Sequence, residues 1–402
     1  MPLMAVADAL ARVLNGVEAL SAEHIGIDHA LGRVLAEDLA SLRTQPPAAV
    51  SAMDGYAVRA EDVTQVPVTL KLIGEIAAGH PFEGEIKAGE AARIFTGGVM
   101  PLGSDTVVIQ ELAACDGNSV IVQKATARGR NVRGRGIDFA QGEVLLRKGT
   151  RLTDRDLMLT AAMNHAHLAV HRRPKIAVLG TGDELVRPGS TPRSGEIIYS
   201  NGYALMALAH QAGGDVADFG IARDRVEDIG AAVRKAHGWG ADVLVTSGGA
   251  SVGEHDLVQR ALKIEGLDLS FWRVALRPGR PVMHGRLGPM HVLGVPGNPV
   301  SAYVCAFLFL VPLIARLTGC RQPLYARTSA RLGCDLPAND EREDYLRATL
   351  DAGPETPVAT PLPNQDSSLM APLAAADCLL IREPFAPPAN AGAPCVILKI
   401  GL

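Results

Sequence analysis

The sequence predicts a multidomain chain of α/β and β parts, on three observations. From Pro174 onward, strand-like and helix-like runs alternate, the pattern of a largely parallel sheet covered by helices. Between residues 48 and about 140, short β-like runs are separated by Gly and Pro, as in a mostly β domain. After Gly319 the runs are short and proline-rich, with no long amphipathic helix, which fits a small β domain of about 80 residues.

In chain order, residues 1 to about 45 read as helix, interrupted by a strand and turn within Ile25–Leu39, until Gln45-Pro46-Pro47 breaks the pattern. The β-like runs that follow are Val66–Ile73, Ala92–Phe95, Thr106–Ile109 and Ser119–Val122. Residues 140–172 return to helix, most clearly over Thr153–Met163. In the alternating segment the expected strands are Lys175–Leu179, Val216–Ile221, Asp242–Val245, Leu269–Ala275 and His291–Val295. The expected helices are Asn201–Gln211, Val226–Ala236, Asp256–Ile264 and Pro299–Leu317.

Composition narrows the function. The chain has 402 residues, 48% hydrophobic and 20% charged, with a formal net charge of −4. It can bury several cores, and two to four domains are expected. Apart from Arg128–Arg135, no basic tract exceeds Arg172-Arg173, so a nucleic-acid surface is not expected. The first ten residues lack a basic, apolar leader pattern and read as an amphipathic helix. The apolar run Ala302–Ala315 is shorter than the roughly 20 residues of a membrane span and contains Pro312, so it reads as a buried helix. Six scattered cysteines form no C-x-x-C pair. The expectation is a cytoplasmic protein with reduced thiols, in which cysteine does not ligate a metal.

The segment Ala241–Asp256 carries the first chemical signal. A short apolar strand runs into Thr246, Ser247, Gly248, Gly249, Ala250, Ser251 and Gly253, then into Glu254 and Asp256. Such a loop lets backbone N–H groups approach an anion. Phosphate and carboxylate in one site call for a cation between them, here Mg2+. An ordinary Gly-rich loop has the same composition.

Other segments repeat the theme. Ser51-Ala-Met-Asp54-Gly-Tyr-Ala-Val58 places Asp54 at a turn, and Thr96-Gly-Gly98 is a second small-residue loop. Asn131–Asp138 combines two arginines with Asp138 on a glycine-hinged loop, able to clamp an anion or simply to be a solvated surface run. Leu179-Gly-Thr-Gly182-Asp-Glu184-Leu185 imitates a dinucleotide fingerprint but lacks its third glycine, and its acids would repel a pyrophosphate. Glu184, Asp224 and Asp256 all lie just past expected strand ends, where α/β sheets collect ligands. Arg273, Arg277 and Arg280 bring planar cationic donors suited to oxyanions. In Pro296-Gly297-Asn298-Pro299-Val-Ser301, Asn298 suits an N-cap and Pro299 the first helical position, leaving a positive helix end near Ser301. His165, His167 and His171 read as surface or interface histidines rather than metal ligands.

Together these segments resemble the MoeA family of molybdopterin molybdenumtransferases and the related C-terminal domain of gephyrin. The resemblance rests on SAMDGYAV at 51–58, FTGG at 95–98 with Pro101, VRGRGID at 132–138, TGDEL at 181–185, TSGGASVGEHD at 246–256, RPGRP at 277–281 and PGNPVSA at 296–302. It runs in the family's order over nearly the whole chain. It implies four parts: a helical elongated part (1–47 with 140–172), an inserted β domain (48–139), a molybdopterin-binding α/β domain (173–325) and a C-terminal β-barrel-like domain (326–402). It further implies a homodimer with a site completed across subunits. The implied reaction is Mg2+-dependent insertion of molybdate into adenylylated molybdopterin, with release of AMP. Implied catalytic residues are Asp54, Asp138, Glu184, Asp224 and Asp256, with Asp224 and Asp256 on the metal. Substrate contacts fall to Thr96, Gly182, Ser247, Gly248, Gly249, Ser251, Arg273, Arg277, Pro296, Gly297 and Asn298. Molybdate falls to Arg280, Pro281, Ser301 and Arg342. The chain departs from the family's Lys-Pro-Gly-Lys-Pro, with Arg at 277 and 280. Molybdenum's soft ligands would be the dithiolene sulfurs of the substrate, which accords with the absence of a cysteine cluster. Implied partners are the molybdopterin adenylyltransferase and apo-molybdoenzymes or their chaperones. An adenylyltransferase would lack the extra β domains and SAMDGYAV, and a non-catalytic scaffold would not need the full set of acids.

Overall fold

A computed structural model describes residues 3–248, 257–322, 325–352 and 356–400. The chain begins with α1 (Val6–Leu14), whose apolar stripe buries Val6, Ala9 and Val13. These residues join the core beneath the α/β sheet. The helix is shorter than the 1–45 reading. After Asn15 and Gly16, which takes φ 66°, the chain turns into strand β1 (Ala22–Gly26).

The inserted sheet follows. Its strands are β2 (Gly55–Val58), β3 (Val68–Ile76), β4 (Glu90–Ile94), β5 (Thr106–Ile109), β6 (Ala113–Asp116) and β7 (Ser119–Val122). They pair in the order β5-β2-β4-β3-β7-β6. Alternating Val, Leu and Ile from these strands fill two small cores.

Helix α2 (Asp154–Ala162) starts where Thr153 and Asp156 form a reciprocal capping box. Strand β8 (His167–His171) then returns antiparallel to β1. Residues 140–172 therefore hold one helix and short strands. Leu35, Leu39, Phe139, Leu146, Met163 and Leu168 form their shared core.

The α/β part comprises β9 (Lys175–Thr181), α3 (Asn201–Gln211), β10 (Asp215–Ala222), α4 (Val226–Trp239), β11 (Val243–Ser247), α5 (Leu257–Ile264), β12 (Asp268–Trp272), β13 (Met283–Leu287), β14 (Met290–Val295) and α6 (Pro299–Leu317, with a π-helical turn at Ala306–Leu310). Strand order is β10-β9-β11-β14-β13-β12. β10, β9, β11 and β14 are parallel, while β13 runs antiparallel to both neighbours. The sheet is thus mixed at one edge. The sequence reading missed β13, because Met283-His-Gly-Arg-Leu287 lacks a β-branched run. It also carried β12 to Ala275, whereas the strand ends at Trp272 and Arg273 adopts φ 83°. Helix α6 is long and apolar enough to cross a membrane by composition, but 83% of its most apolar stretch is buried in this core.

The C-terminal strands β15 (Arg327–Leu332), β16 (Glu343–Asp351), β17 (Val358–Pro361), β18 (Cys378–Arg382) and β19 (Pro394–Lys399), with the short helix α7 (Met370–Ala374), form a closed five-stranded barrel. The order is β16-β17-β15-β19-β18, closed by pairing of β18 with β16. Leu276-Arg277 adds a two-residue strand to β16. That pairing ties the barrel to the α/β part beside the Arg-Pro-Gly-Arg-Pro loop.

Candidate functional site

Four parallel strands end on one rim, and their following residues build the site. Ser247 is buried at the end of β11, and Gly248 beyond it has φ 98°. A Cβ on Gly248 would lie 2.4 Å from the Thr181 carbonyl oxygen, at the end of neighbouring β9. Only glycine allows the two loops this approach. Gly182, with φ 146°, hydrogen-bonds its amide to Ala222 O at the end of β10. Asn201 opens α3 and donates to both Ser247 Oγ (2.9 Å) and Gly297 O (2.7 Å). It therefore ties β9's connection to the ends of β11 and β14.

These loops surround a cavity of about 610 Å³. Glu184, Ser247, Gly248, Gly297, Asn298 and Asn201 supply polar lining. Ile197, Ile198, Tyr199 and Met370 supply an apolar side, and Ser368 comes from the barrel. Tyr199 is 1% exposed, and burial pushes its phenol up to about 12. Its ring leaves room only for glycine at 180 and 202. The volume suits a ligand of drug-like or nucleotide size with one flat apolar face.

Asn298 occupies the N-cap position of α6, but its side chain makes no capping bond. Its amide instead donates to Ser367 Oγ (2.9 Å), and the Val300 N–H donates to Ser367 O (3.0 Å). The barrel loop thus takes up one of the helix's free donors, which corrects the capping expectation. Pro296 is buried below this junction, and Gly297 and Asn298 are exposed on it.

The acids stand on the same rim. Glu184 and Asp224 are exposed, and the Asp224 N–H donates to Asp183 Oδ1 (3.3 Å), bringing the ends of β9 and β10 together. Gly249, Ser251 and Asp256 lie outside the described residues. Among the described residues, no three His, Cys, Asp or Glu side chains converge as a metal site.

The arginines divide. Arg277 is engaged twice, by Asp344 through Nε (2.7 Å) and by Asp340 (3.1 Å), with Asn339 accepting a further bond at 2.9 Å. Arg342 also pairs with Asp340 (2.6 Å). These arginines hold the Asp340 carboxyl down at about 2. Arg277 and Arg342 are therefore both paired with acids at the junction of barrel and α/β sheet. Arg280 is exposed and makes no ion pair among the described residues. Arg273 stacks on Trp272, with Cζ 4.3 Å from the ring centre. Pro281 is half-buried, and Ser301 is buried in the first turn of α6 beneath the Arg-Pro-Gly-Arg-Pro loop. Gly279 in that loop sits against Cys305, where a Cβ would come within 2.5 Å of its sulfur.

Arg347, missed in the sequence, is 1% exposed on β16. It donates to the backbone oxygens of Asn364 and Asp366, and its Nε has no partner among the described residues. Its guanidinium thus brings positive charge to the base of the Ser367–Ser368 loop, where burial disfavours the charge and the Asp366 carboxylate favours it. Asn201, Tyr199, Ser367 and Ser368 were missed as well. The run Asn364-Gln-Asp-Ser-Ser368 is polar enough to have drawn notice, but its approach to Asn298 is long-range.

Asp54, Thr96 and Asp138 belong to a second locus on the inserted sheet. Asp54 precedes β2, and its Oδ1 accepts from both the Thr96 N–H and hydroxyl at 2.7 Å. Those two donors hold its carboxyl below the ordinary carboxylate range. Arg93 spans the faces of Tyr56 and Phe95 nearby. The Asn131–Asp138 loop joins this locus, since Val132 pairs with Ser51 and the Ala52 N–H reaches Asn131 O. Asp138 is exposed. Among the described residues no hydrogen bond links Asp54, Thr96 or Asp138 to the α/β rim.

Comparison with known proteins settles the family. Residues 4–164 match the MoeA N-terminal region (domains I and II), 177–316 a probable molybdopterin-binding domain, and 329–400 the MoeA C-terminal region (domain IV). The chain belongs to the MoeA family. It is 35% identical over 364 residues to the molybdopterin molybdenumtransferase of Nostoc sp., covering 87% of this chain and 83% of that one. It is 37% identical over 301 residues to the enzyme of the same name from Haemophilus influenzae, covering 75% and 74%. Among solved structures, a molybdopterin biosynthesis MoeA protein from Pyrococcus horikoshii aligns over 99% of this chain and 100% of that one, with TM-score 0.87 and 27% identity.

Proposed function

We propose that this MoeA-family transferase inserts molybdenum into molybdopterin, and that its substrates are adenylylated molybdopterin and molybdate, with AMP released. The observation that carries the reading is the rim cavity. Gly248 and Ser247, Gly297 and Asn298, and Glu184 bring small backbone-exposing loops and a carboxylate around one volume with an apolar wall. Backbone donors suit the phosphates, and Ile197, Ile198 and Met370 suit a flat ring. Carboxylates of Asp224 and Asp256 would hold Mg2+, whose role when bound is to neutralise phosphate charge. Glu184 would act as a catalytic carboxylate at the cavity wall, and the Asn201 bridge would hold the loops in register around the phosphates. Arg280 and Pro281, with Ser301 beneath, would receive the tetrahedral oxyanion, and Arg273 would add charge to it.

Asp54, half-buried, and Asp138, exposed, are carried by the inserted part of the chain and not by the loops that line the cavity. This supports a homodimer in which they complete the partner's site. The same reading places the protein in the cytoplasm, with the molybdopterin adenylyltransferase upstream and apo-molybdoenzymes or their chaperones downstream. The test is incubation with adenylylated molybdopterin, molybdate and Mg2+, following AMP and cofactor together. Both should rise in equal amounts and depend on molybdate. Nucleotide that binds but is never cleaved would defeat the proposal and favour a scaffold.

A further inference from the structure

The Asp54 carboxylate stands where the turn before β2 meets the loop after β4, and one side chain reaches both. Arg93 lies on β4 directly opposite Tyr56 on β2, so the two side chains rise on the same face of the inserted sheet. Arg93 is half-buried. Its guanidinium packs over two rings, with Cζ 5.1 Å from the centre of Tyr56 and 4.9 Å from that of Phe95. Phe95 precedes Thr96, whose N–H and hydroxyl both donate to Asp54 Oδ1.

The polar edge of the same guanidinium is also engaged. Nη1 donates at 3.3 Å to the carbonyl of Gly55, the residue next to Asp54, and Nη2 donates to Gln110 Oε1 at 2.7 Å. The Gln110 N–H in turn donates to Asp54 O at 3.1 Å. These contacts close a ring that runs from the Asp54 carboxylate through Thr96, Phe95, Arg93 and Gln110 back to the Asp54 backbone. Gly55 is pressed against β5 within it, where a Cβ would run into the Val108 carbonyl.

Each contact uses a different property of arginine. Its planar faces stack on rings, while its edge keeps donors for two acceptors in one plane. A lysine would keep the charge and lose the fork. Without Arg93, Gly55 on one side of the Asp54–Thr96 contact and Phe95 on the other would be released together. The Arg93 charge also favours the ionised Asp54, adding to the larger effect of the two Thr96 donors. Other titratable or charged groups on the adjoining segments are Tyr56, Cys115 beside it, Glu111, which accepts from Gln110 Nε2 at 3.3 Å, and Arg133, opposite Val50.

We infer that Arg93 is a positioning residue, which holds the Asp54 carboxylate in place by clamping Gly55 and Phe95 on either side of the Asp54–Thr96 contact. The inference rests on the reading above, in which Asp54 completes a molybdenum-insertion site.

The full-length protein is compared as wild type, Arg93→Met, Arg93→Lys, Asp54→Asn and the double variant of Arg93→Met with Asp54→Asn, with melting followed by calorimetry. Turnover is measured with adenylylated molybdopterin, molybdate and Mg2+. Arg93→Met should lower kcat roughly 10–100-fold, the range for a misplaced reacting group. KM for the pterin substrate should stay within about twofold, because the cavity loops are untouched. Arg93→Lys should recover part of the loss. In the Asp54→Asn background Arg93→Met should change kcat no further, whereas an arginine that only supports the sheet would lower it again. A second readout needs no turnover. With aspartate carbon-13-labelled at the carboxyl, and Asp54 assigned through Asp54→Asn, its titration should move upward in Arg93→Met and lie in between in Arg93→Lys. If Arg93→Met does not fold, Arg93→Lys decides by the same measurements. An Asp54 titration unchanged in both variants overturns the inference, as does a kcat loss that persists in full without Asp54. A wild type that forms no cofactor refutes the insertion reading, and the titration alone then decides whether Arg93 governs Asp54.

Discussion

Replacing Gly248 by alanine tests whether the rim is built by close approach of β9 and β11. Gly248 takes φ 98°, outside the range side-chain-bearing residues adopt easily. That alone costs about 1–3 kcal/mol. The added Cβ would also lie 2.4 Å from Thr181 O and 3.0 Å from Thr181 Oγ1. The nearer atom belongs to backbone at the end of a buried strand, so it cannot swing aside as a side chain would. Strain and displacement together should cost about 3 kcal/mol, shifting the melting of an α/β unit of this size by about 6–12 °C. Gly297→Ala is the control. Its Cβ would meet nothing closer than Gly248 Cα at 3.8 Å, and its φ is not positive. It should leave the melting temperature near wild type while perturbing substrate affinity, because it adds a methyl group to the cavity lining. Both variants are read by calorimetry and by KM for the pterin substrate. A Gly248→Ala protein that melts like wild type would refute the claim that this glycine sets the rim.

Three other outcomes are expected. The Thr96 donors keep Asp54 ionised below the ordinary carboxylate range, so Thr96→Val should move the acid limb of the kcat/KM profile upward; an unmoved limb would mean that another group sets it. Subunits carrying Asp54→Ala and Asp256→Ala, mixed and reassembled, should regain about a quarter of wild-type activity by statistical pairing, whereas no recovery would deny a site shared between subunits. His284 and His291, stacked and buried with Nε2 and Nδ1 3.1 Å apart, are pushed down to about 4 and about 3, by burial first and then by Arg286. The unfolded chain takes up protons first, so stability should be level at neutral pH and fall as pH drops from 6.5 towards 4. The His284 share is about 3 kcal/mol. Urea titrations across that range check it, and a flat profile would show that the pair is protonated in the folded protein.

What could be read in the sequence was what local chemistry fixes. The alternation after Pro174 is a periodicity, and the strands β9, β10, β11 and β14 fall where it puts them. Glycines at 182 and 248 announced tight approach, and both take positive φ at strand ends. Residues whose roles depend on partners far along the chain were harder. Arg277 and Arg280 look alike in Arg277-Pro-Gly-Arg280-Pro281. Yet one is spent on Asp340 and Asp344, some 60 residues later, and the other faces a pocket. Nothing local separates them, since the difference lies in how the barrel docks on the sheet.

The same docking explains why Asn298 does not cap its helix. A capping bond joins groups two or three residues apart, and sequence reasoning finds it for that reason. Ser367 displaces it by offering the Asn298 amide an oxygen and by accepting the Val300 N–H itself. The start of α6 is therefore held by another part of the chain, and so is the cavity floor beside it. Ser368, two residues before Met370 and α7, lines that cavity together with Met370. A substrate that enters the cavity would touch both the sheet rim and the barrel loop. The Asn298–Ser367 bond braces the two: its loss in Ser367→Ala would free the Asn298 amide and loosen the barrel from the rim. KM should rise while the melting of the separate cores stays unchanged, and a variant with unaltered KM would show that the two parts meet the substrate independently.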